Sequence, residues 1–451
     1  MFTRRTFCQI GAASVGSLAL RSFGLLPALA QSSPDYRALV CVFLLGGNDS
    51  NNMIIPMDDA NYQAYRALRG DIALTGSALA PTVQSIDGKP YAFHAKLAEL
   101  SNLFSSGKLA VAANVGPLVQ PLSRVQFQQG LAPVPSNLFS HEDQTIRWQT
   151  SMAQDTIVIS TETGWAGRAA DYISAQKANS SQFPPFLSVA GNTLLGTGAI
   201  TQPLVIAPGQ SLGLIGFNKT PASQRRWSAL NSLLSLESGV SLVQASNDML
   251  AHSIADATGL NNALSKATQL KTQFPNTPLG MQLRQVAQII QVHTDLGMRR
   301  QIFFCCMGGF DTHTSELSSL NYIYSLLSPA LAAFFDATEE LGMAQSVTTF
   351  TESEFNRTFQ LTSGGGTDHG WGGHQLILGG AVQGGQVFGR FPKFQFGGPD
   401  DTDTRGRWIP TTSIDQYGAT LCSWFGIPDA ILPSVFPNLK NFGSSKLGFM
   451  G

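Results

Sequence analysis

Four short runs in this chain are nearly free of charge, and they limit its possible folds more than any other feature. Residues 37–45 read RALVCVFLL, 109–115 read LAVAANV, 301–307 read QIFFCCM, and 347–350 read VTTF. A strand of this kind has no face to give to water, so each must be covered on both sides. Helical patterns fall between the runs. They cover 62–68, 93–103 (with Leu97, Leu100 and Leu103 on one side), 281–296, a stretch opening at Ser328-Pro329, and 414–424 behind Ser413. Strand and helix in alternation argue for an α/β fold with a parallel sheet.

Polar groups gather where three of these runs end. Residues 37–45 lead into Gly46-Gly47-Asn48-Asp49-Ser50-Asn51-Asn52. The glycines allow a tight turn and a close approach to a ligand. Asp49 and the asparagines offer oxygens, although the same residues also make an ordinary turn. Residues 301–307 lead into Gly308-Gly309-Phe310-Asp311-Thr312-His313. In extended chain Asp311 and His313 point the same way, and a carboxylate two residues from an imidazole is a common divalent-metal pair. Residues 347–350 lead into Glu352, Glu354, Arg357, the Asp368-His369 pair and His374. Strand C-terminal ends are where open α/β sheets put their chemistry.

Two further segments carry candidate groups. Ser140-His141-Glu142-Asp143 has two readings. Ser140 caps a helix with Asp143 three residues on, or the helix start presents its hydroxyl and the His141 imidazole to an anion. Gly164-Trp165-Ala166-Gly167-Arg168 opens another helix and supplies Arg168, suited to holding an anionic oxygen or supporting the site from behind. His94, His252 and His293 read as packing histidines.

The N-terminus has the form of an export signal. Arg4-Arg5 is followed by Phe7, an apolar stretch over 10–29, and Ala28-Leu29-Ala30. That predicts a signal peptide over 1–30 cleaved near Ala30, with the twin-arginine export machinery as a partner and a periplasmic or otherwise exported mature chain. The remainder has 25 basic against 29 acidic side chains, which argues against nucleic acid as a partner. No later segment has the apolar length of a membrane span. Cys41, Cys305, Cys306 and Cys422 are too sparse for a disulfide scaffold and read as buried thiols. Residues 185–275 alternate short apolar pieces with turns and then turn helical, which predicts an inserted cap between core halves 31–184 and 276–451.

Taken together, the paired-arginine leader, LLGGNDSNN, LFSHEDQTIRWQT, GWAGR, MGGFDTHTSEL, TTFTESEFNRT, GTDHGWGGHQLILGGAVQGG and IPTTSIDQYGATLCSWFG resemble the exported bacterial family of unknown function called DUF1501. That family is considered similar to the sulfatase and alkaline-phosphatase superfamily, a three-layer α/β/α sandwich holding one or two divalent metals around a hydroxyl nucleophile. The resemblance implies Asp49 as a metal ligand after the first strand, and Asp311 and His313 as ligands of one metal. It puts Glu354 where the superfamily has the aspartate of an Asp-His pair, and His369 where a later histidine falls. Asp368 and His374 would add to that cluster. Ser140 would be the nucleophile with His141 beside it, and Arg357 or Arg168 would hold an oxygen of an anionic ester.

The chain departs from the pattern in three places. Asn356 replaces the glycine of the family's Phe-Gly-Arg-Thr, Phe355 stands where a second metal's histidine is usual, and the Pro-x-Arg signature of sulfatases is missing. The implied function is a metal-dependent hydrolase of phosphate or sulfate esters using Zn, Mn, Fe, Ca or Mg. The competing expectation is a non-catalytic exported binding or structural protein with a vestigial metal site.

Overall fold

The apolar runs become neighbouring strands. In a computed structural model that describes residues 35–153, 163–210, 212–214, 217, 220–236 and 239–451, the strands in chain order are β1 (Arg37–Leu45), β2 (Ile54–Pro56), β3 (Val83–Gln84), β4 (Pro90–Phe93), β5 (Leu109–Gly116), β6 (Phe186–Ser188), β7 (Leu204–Val205), β8 (Arg300–Gly308), β9 (Val347–Glu352), β10 (Gly373–Gly379), β11 (Val387–Gly389) and β12 (Thr412–Ser413). The expected signal peptide lies outside the described residues.

The main sheet runs β11-β5-β10-β9-β1-β8-β6-β7, with β12 also beside β5, while β2, β4 and β3 form a small antiparallel sheet. Every pairing in the main sheet is parallel except those of β10, which opposes β9 and β5. Nothing in the pattern of apolar runs foretells that reversal. Its reason is the connection: residues 353–372 contain no helix, so the chain returns without the crossover that a parallel neighbour requires.

Leu39, Cys41 and Phe43 join Trp165, Ile173, Tyr417 and Phe425 in one core cluster. Alternation along β1 sends Val40, Val42 and Leu44 to the opposite face, and they are equally buried. There the helix Pro278–Gln291 packs on β8 and on the helix Glu316–Glu340, which also meets the helix Ala98–Ser105. Each such aliphatic or aromatic side chain, fully covered, contributes roughly 1.5–3 kcal/mol. The result is a mainly parallel sheet between two helical layers.

Three local expectations change. Phe93 closes β4 by pairing with Ile54, so the helical part of that region begins after it, as a 3-10 turn over Ala95–Leu97 that leads into the α-helix Ala98–Ser105. The helix expected to open at Ser328-Pro329 starts at Glu316 and runs through Pro329. An interior proline costs about 3 kcal/mol, and the buried Leu327, Leu331, Phe334 and Phe335 around it provide packing that offsets it. Within 185–275, β6 and β7 extend the sheet beyond β8 before the helices Pro221–Leu234 and Ser241–Leu264 follow. Among the described residues no helix is long and apolar enough to cross a membrane.

Candidate metal centre

β1 and β8 are parallel neighbours with Leu45 opposite Gly308, so their two Gly-Gly turns leave the sheet side by side. Gly46 has φ +121°, and a Cβ there would lie 2.4 Å from the backbone nitrogen of Asp311. Only glycine lets the turns approach this closely. β9, on the other side of β1, delivers Glu354 to Arg357 to the same edge.

Asp311 is the centre of the arrangement. Its Oδ1 lies 3.0 Å from His313 Nε2, 3.4 Å from His141 Nε2 and 3.6 Å from His369 Nε2. It also accepts a hydrogen bond from Arg357 Nη1 at 2.9 Å. Its side chain is 48% exposed, whereas the Arg357 guanidinium is fully buried. Burial works against ionisation of Asp311, yet Arg357, with His313 and His141 alongside, holds the carboxyl below its ordinary value.

The imidazoles are oriented from behind. His141 Nδ1 lies 2.8 Å from Glu354 Oε1, a buried carboxylate that also accepts from the Gly46 amide at 2.8 Å. His369 Nδ1 lies 2.6 Å from the Phe139 carbonyl. Assigned from these acceptors, both rings carry their proton on Nδ1 and turn Nε2 inward as a lone pair. The His141 Nε2 is buried without a hydrogen-bond partner. His369 Nε2 faces His313 Nε2 at 3.0 Å. Phe355 stacks on His369 at 4.6 Å and lies against His141 at 4.7 Å, a dry wall beneath both rings. The hydrogen bond to Glu354 raises His141 against an opposing effect of burial, and burial lowers His369.

An imidazole that donates one nitrogen to a carboxylate or carbonyl and aims the other at a shared point is the usual form of a metal-ligating histidine. His141, Asp311 and His369 bring one ligand atom each to within 4.8 Å of one another, and so do His313, Asp368 and His369. The first set is the better one. Asp368 has Oδ1 engaged by the His369 amide at 2.8 Å, and Oδ2 by Arg405 and Arg407 at 2.9 Å each.

A family model described as a protein of unknown function (DUF1501) matches residues 36–402. The chain belongs to that family. No curated protein matches it. Among solved structures, this DUF1501 chain is similar to the PsFucS1 sulfatase from Pseudoalteromonas sp., at TM-score 0.35 and 9% identity, covering 90% of this chain and 70% of that one. It is also similar to the zinc complex of the C-terminal periplasmic domain of EcEptC from Escherichia coli, at TM-score 0.31 and 10% identity, covering 77% and 74%. A third is the phosphonate monoester hydrolase of Agrobacterium radiobacter, at TM-score 0.32 and 9% identity, covering 89% and 77%.

Of the residues singled out from the sequence, His141, Arg357, Asp311, His313 and His369 converge, with Glu354 behind His141 and Asp368 at the rim. Four others stand elsewhere. Asp49 is fully buried against Arg69 and also accepts from Asn51 at 2.9 Å. His374 is buried with Nδ1 accepting from the Asn114 amide at 3.1 Å, and burial pushes it down to about 3. Arg168 donates to the carbonyls of Thr150, Thr163 and Val435, away from the cluster, and burial lowers it to about 10. Ser140 caps the helix His141–Thr150, its Oγ accepting from the Asp143 amide at 3.3 Å. Asn356, in the place of the family's glycine, binds the Ser50 amide and the Gly372 carbonyl, tying the β1 turn to the start of β10. Phe355 and Phe139 are outside the expected site, and Arg405 and Arg407, which read from the sequence as surface or salt-bridge groups, form an arginine pair on Asp368. The pair stands in the segment Arg405-Gly-Arg407, and nothing in its spacing links it to residue 368.

Proposed function

We propose that this chain is an exported, metal-dependent hydrolase of phosphate or sulfate esters, with one divalent ion held by His141, His313, His369 and Asp311. One observation supports it above all: three Nε2 atoms gather on one carboxylate oxygen, and one of them is buried without a partner. Three imidazoles and one carboxylate favour Zn or Mn over Ca or Mg, which take oxygen ligands. When bound, such an ion supplies Lewis acidity to an ester oxygen and lowers the pKa of a water.

The chain's own groups have separate tasks. Arg357 fixes Asp311 and keeps it ionised. Glu354 and the Phe139 carbonyl set the two imidazole tautomers. Phe355 keeps water from the underside of the rings. Arg405, about one-third exposed beside Asp368, is available to draw an anionic ester to the rim. The Ser140 hydroxyl also lowers Asp143 through a side-chain hydrogen bond, so Ser140 is assigned to holding the helix, and attack is left to water. Twin-arginine export to the periplasm belongs to the same proposal.

The test is hydrolysis of a panel of aryl phosphates and aryl sulfates by protein reconstituted with zinc or manganese. Turnover that a chelator abolishes and the metal restores is the expected result. No turnover by metal-loaded protein on either ester class would favour a binding or structural role. Turnover unaffected by chelator would remove the metal from the mechanism.

A further inference from the structure

Three of the four proposed ligands come from two loop segments, 311–313 and 367–369, and one buried carboxyl group touches both. Glu316, fully buried at the first turn of the helix Glu316–Glu340, accepts from Thr312 Oγ1 at 3.0 Å through Oε1. Its Oε2 accepts from Thr367 Oγ1 at 2.8 Å. Thr312 stands between Asp311 and His313. Thr367 also receives Arg357 Nε at 3.1 Å, and that guanidinium donates to Asp311. The bonds therefore close a ring: Glu316, Thr312 and its neighbour Asp311, Arg357, Thr367, and back to Glu316.

The backbone already brings the segments together, through the Thr367 amide on the Thr312 carbonyl and the Glu316 amide on the Gly365 carbonyl, each at 3.0 Å. The Glu316 carboxyl group adds control over rotation. It fixes both threonine hydroxyls and, through Thr367, the plane of the guanidinium that aims Asp311. A carboxyl group is well suited to this place, since its two oxygens engage both threonine hydroxyls at once. It is also an expensive group to bury, and burial followed by the nearby Asp49 pushes it up.

We propose that Glu316 is a positioning residue that holds the Asp311-His313 and Asp368-His369 segments in the geometry required for the ion. The proposal rests on the metal-site reading above. Glu316 makes no contact with the ion in this assignment, and its effect passes through Thr312, Thr367 and Arg357.

The test compares zinc affinity, by competition with a chromophoric chelator, with urea unfolding of the metal-free protein. Five proteins are used: wild type, Glu316→Gln, Glu316→Ala, Thr367→Val and a destabilised control, Leu283→Ala. Glutamine keeps one acceptor and gains one donor, and a threonine hydroxyl can reverse, so Glu316→Gln should stay within about threefold of wild type. Glu316→Ala should bind zinc roughly 10–100-fold more weakly, the usual range for a lost group behind a ligand. Leu283→Ala, which empties part of the core under the helix Pro278–Gln291, serves as a destabilised control and should keep wild-type affinity. If Glu316→Ala does not fold, Thr367→Val carries the test, with about tenfold weakening expected. Wild-type affinity in Glu316→Ala or Thr367→Val, or an equal loss in Leu283→Ala, overturns the positioning role. A wild-type protein that binds no zinc or manganese overturns the metal site itself.

Discussion

Two Gly-Gly turns sit side by side at the ends of β1 and β8, each followed two residues later by an aspartate, and they have opposite fates. Asp49, after Gly46-Gly47, is fully buried in an ion pair with Arg69. Asp311, after Gly308-Gly309, is half exposed and faces three imidazoles. Similar sequence patterns on adjacent strands thus give a structural support and a candidate ligand. The difference lies in the partners. Asp49 meets Arg69, which is also held by Asn52 and by the carbonyls of Thr358 and Phe359. Both Asp49 carboxylate oxygens are engaged, Oδ1 by Asn51 and Oδ2 by Arg69, whereas His141 Nε2 beside Asp311 has no hydrogen-bond partner.

That contrast is broken most directly by deleting one charge from each side. Arg69→Met leaves Asp49 buried and unpaired, and should cost about 3–5 kcal/mol in urea unfolding. Asp311→Asn keeps an acceptor for Arg357 in a solvent-screened place, and should cost about 1 kcal/mol or less. Equal losses in the two variants would erase the distinction between support and site.

The glycines give a sharper pair. Gly46→Ala puts a methyl group 2.4 Å from the Asp311 nitrogen at φ +121°, and should cost about 1–3 kcal/mol through backbone strain while also weakening zinc binding. Gly308→Ala meets open space and ordinary φ, and should change neither. A tolerated Gly46→Ala would show that the turns need no close approach.

Acid and base should also act on different sides. Asp311 is held below its ordinary value in the folded protein, so its stabilising contribution is present near neutrality and is lost as pH falls through the folded pKa. Glu316 is raised from 4.5 to about 8, by burial first. Its unfolded form ionises first, so its contribution is complete below about pH 4.5 and is lost as pH rises towards about 8. Unfolding midpoints of metal-free Glu316→Gln should therefore vary less than wild type across that window. A steeper dependence in the variant would contradict the assignment. The smallest effect is expected at the rim, where Arg405→Gln removes a part-exposed ion pair and should move stability by about 0.5 kcal/mol or less.

Much of the fold was legible because uniform apolarity leaves a strand few alternatives: the runs at 37–45, 109–115, 301–307 and 347–350 are all strands of the main sheet. The reversal at β10 was not legible, since direction depends on how the 353–372 loop returns. The helix through Pro329 was not legible either, because packing overrides a local breaker there. In the site, Asp311, His313 and His369 were marked by residue type after strand ends. Their distinction from Asp49 depends on Arg69, which looks like any basic residue in the last turn of the helix Asp59–Arg69. Glu316 was invisible for a similar reason. A glutamate in a helix's first turn needs no special explanation.

Metal content decides the central claim. Elemental analysis of the natively produced protein, beside an Asp311→Ala, His369→Ala double variant with a verified fold, should find about one zinc or manganese per chain in the former and none in the latter. Metal absent from both, or retained equally by the double variant, would contradict the assignment of this cluster as a metal centre.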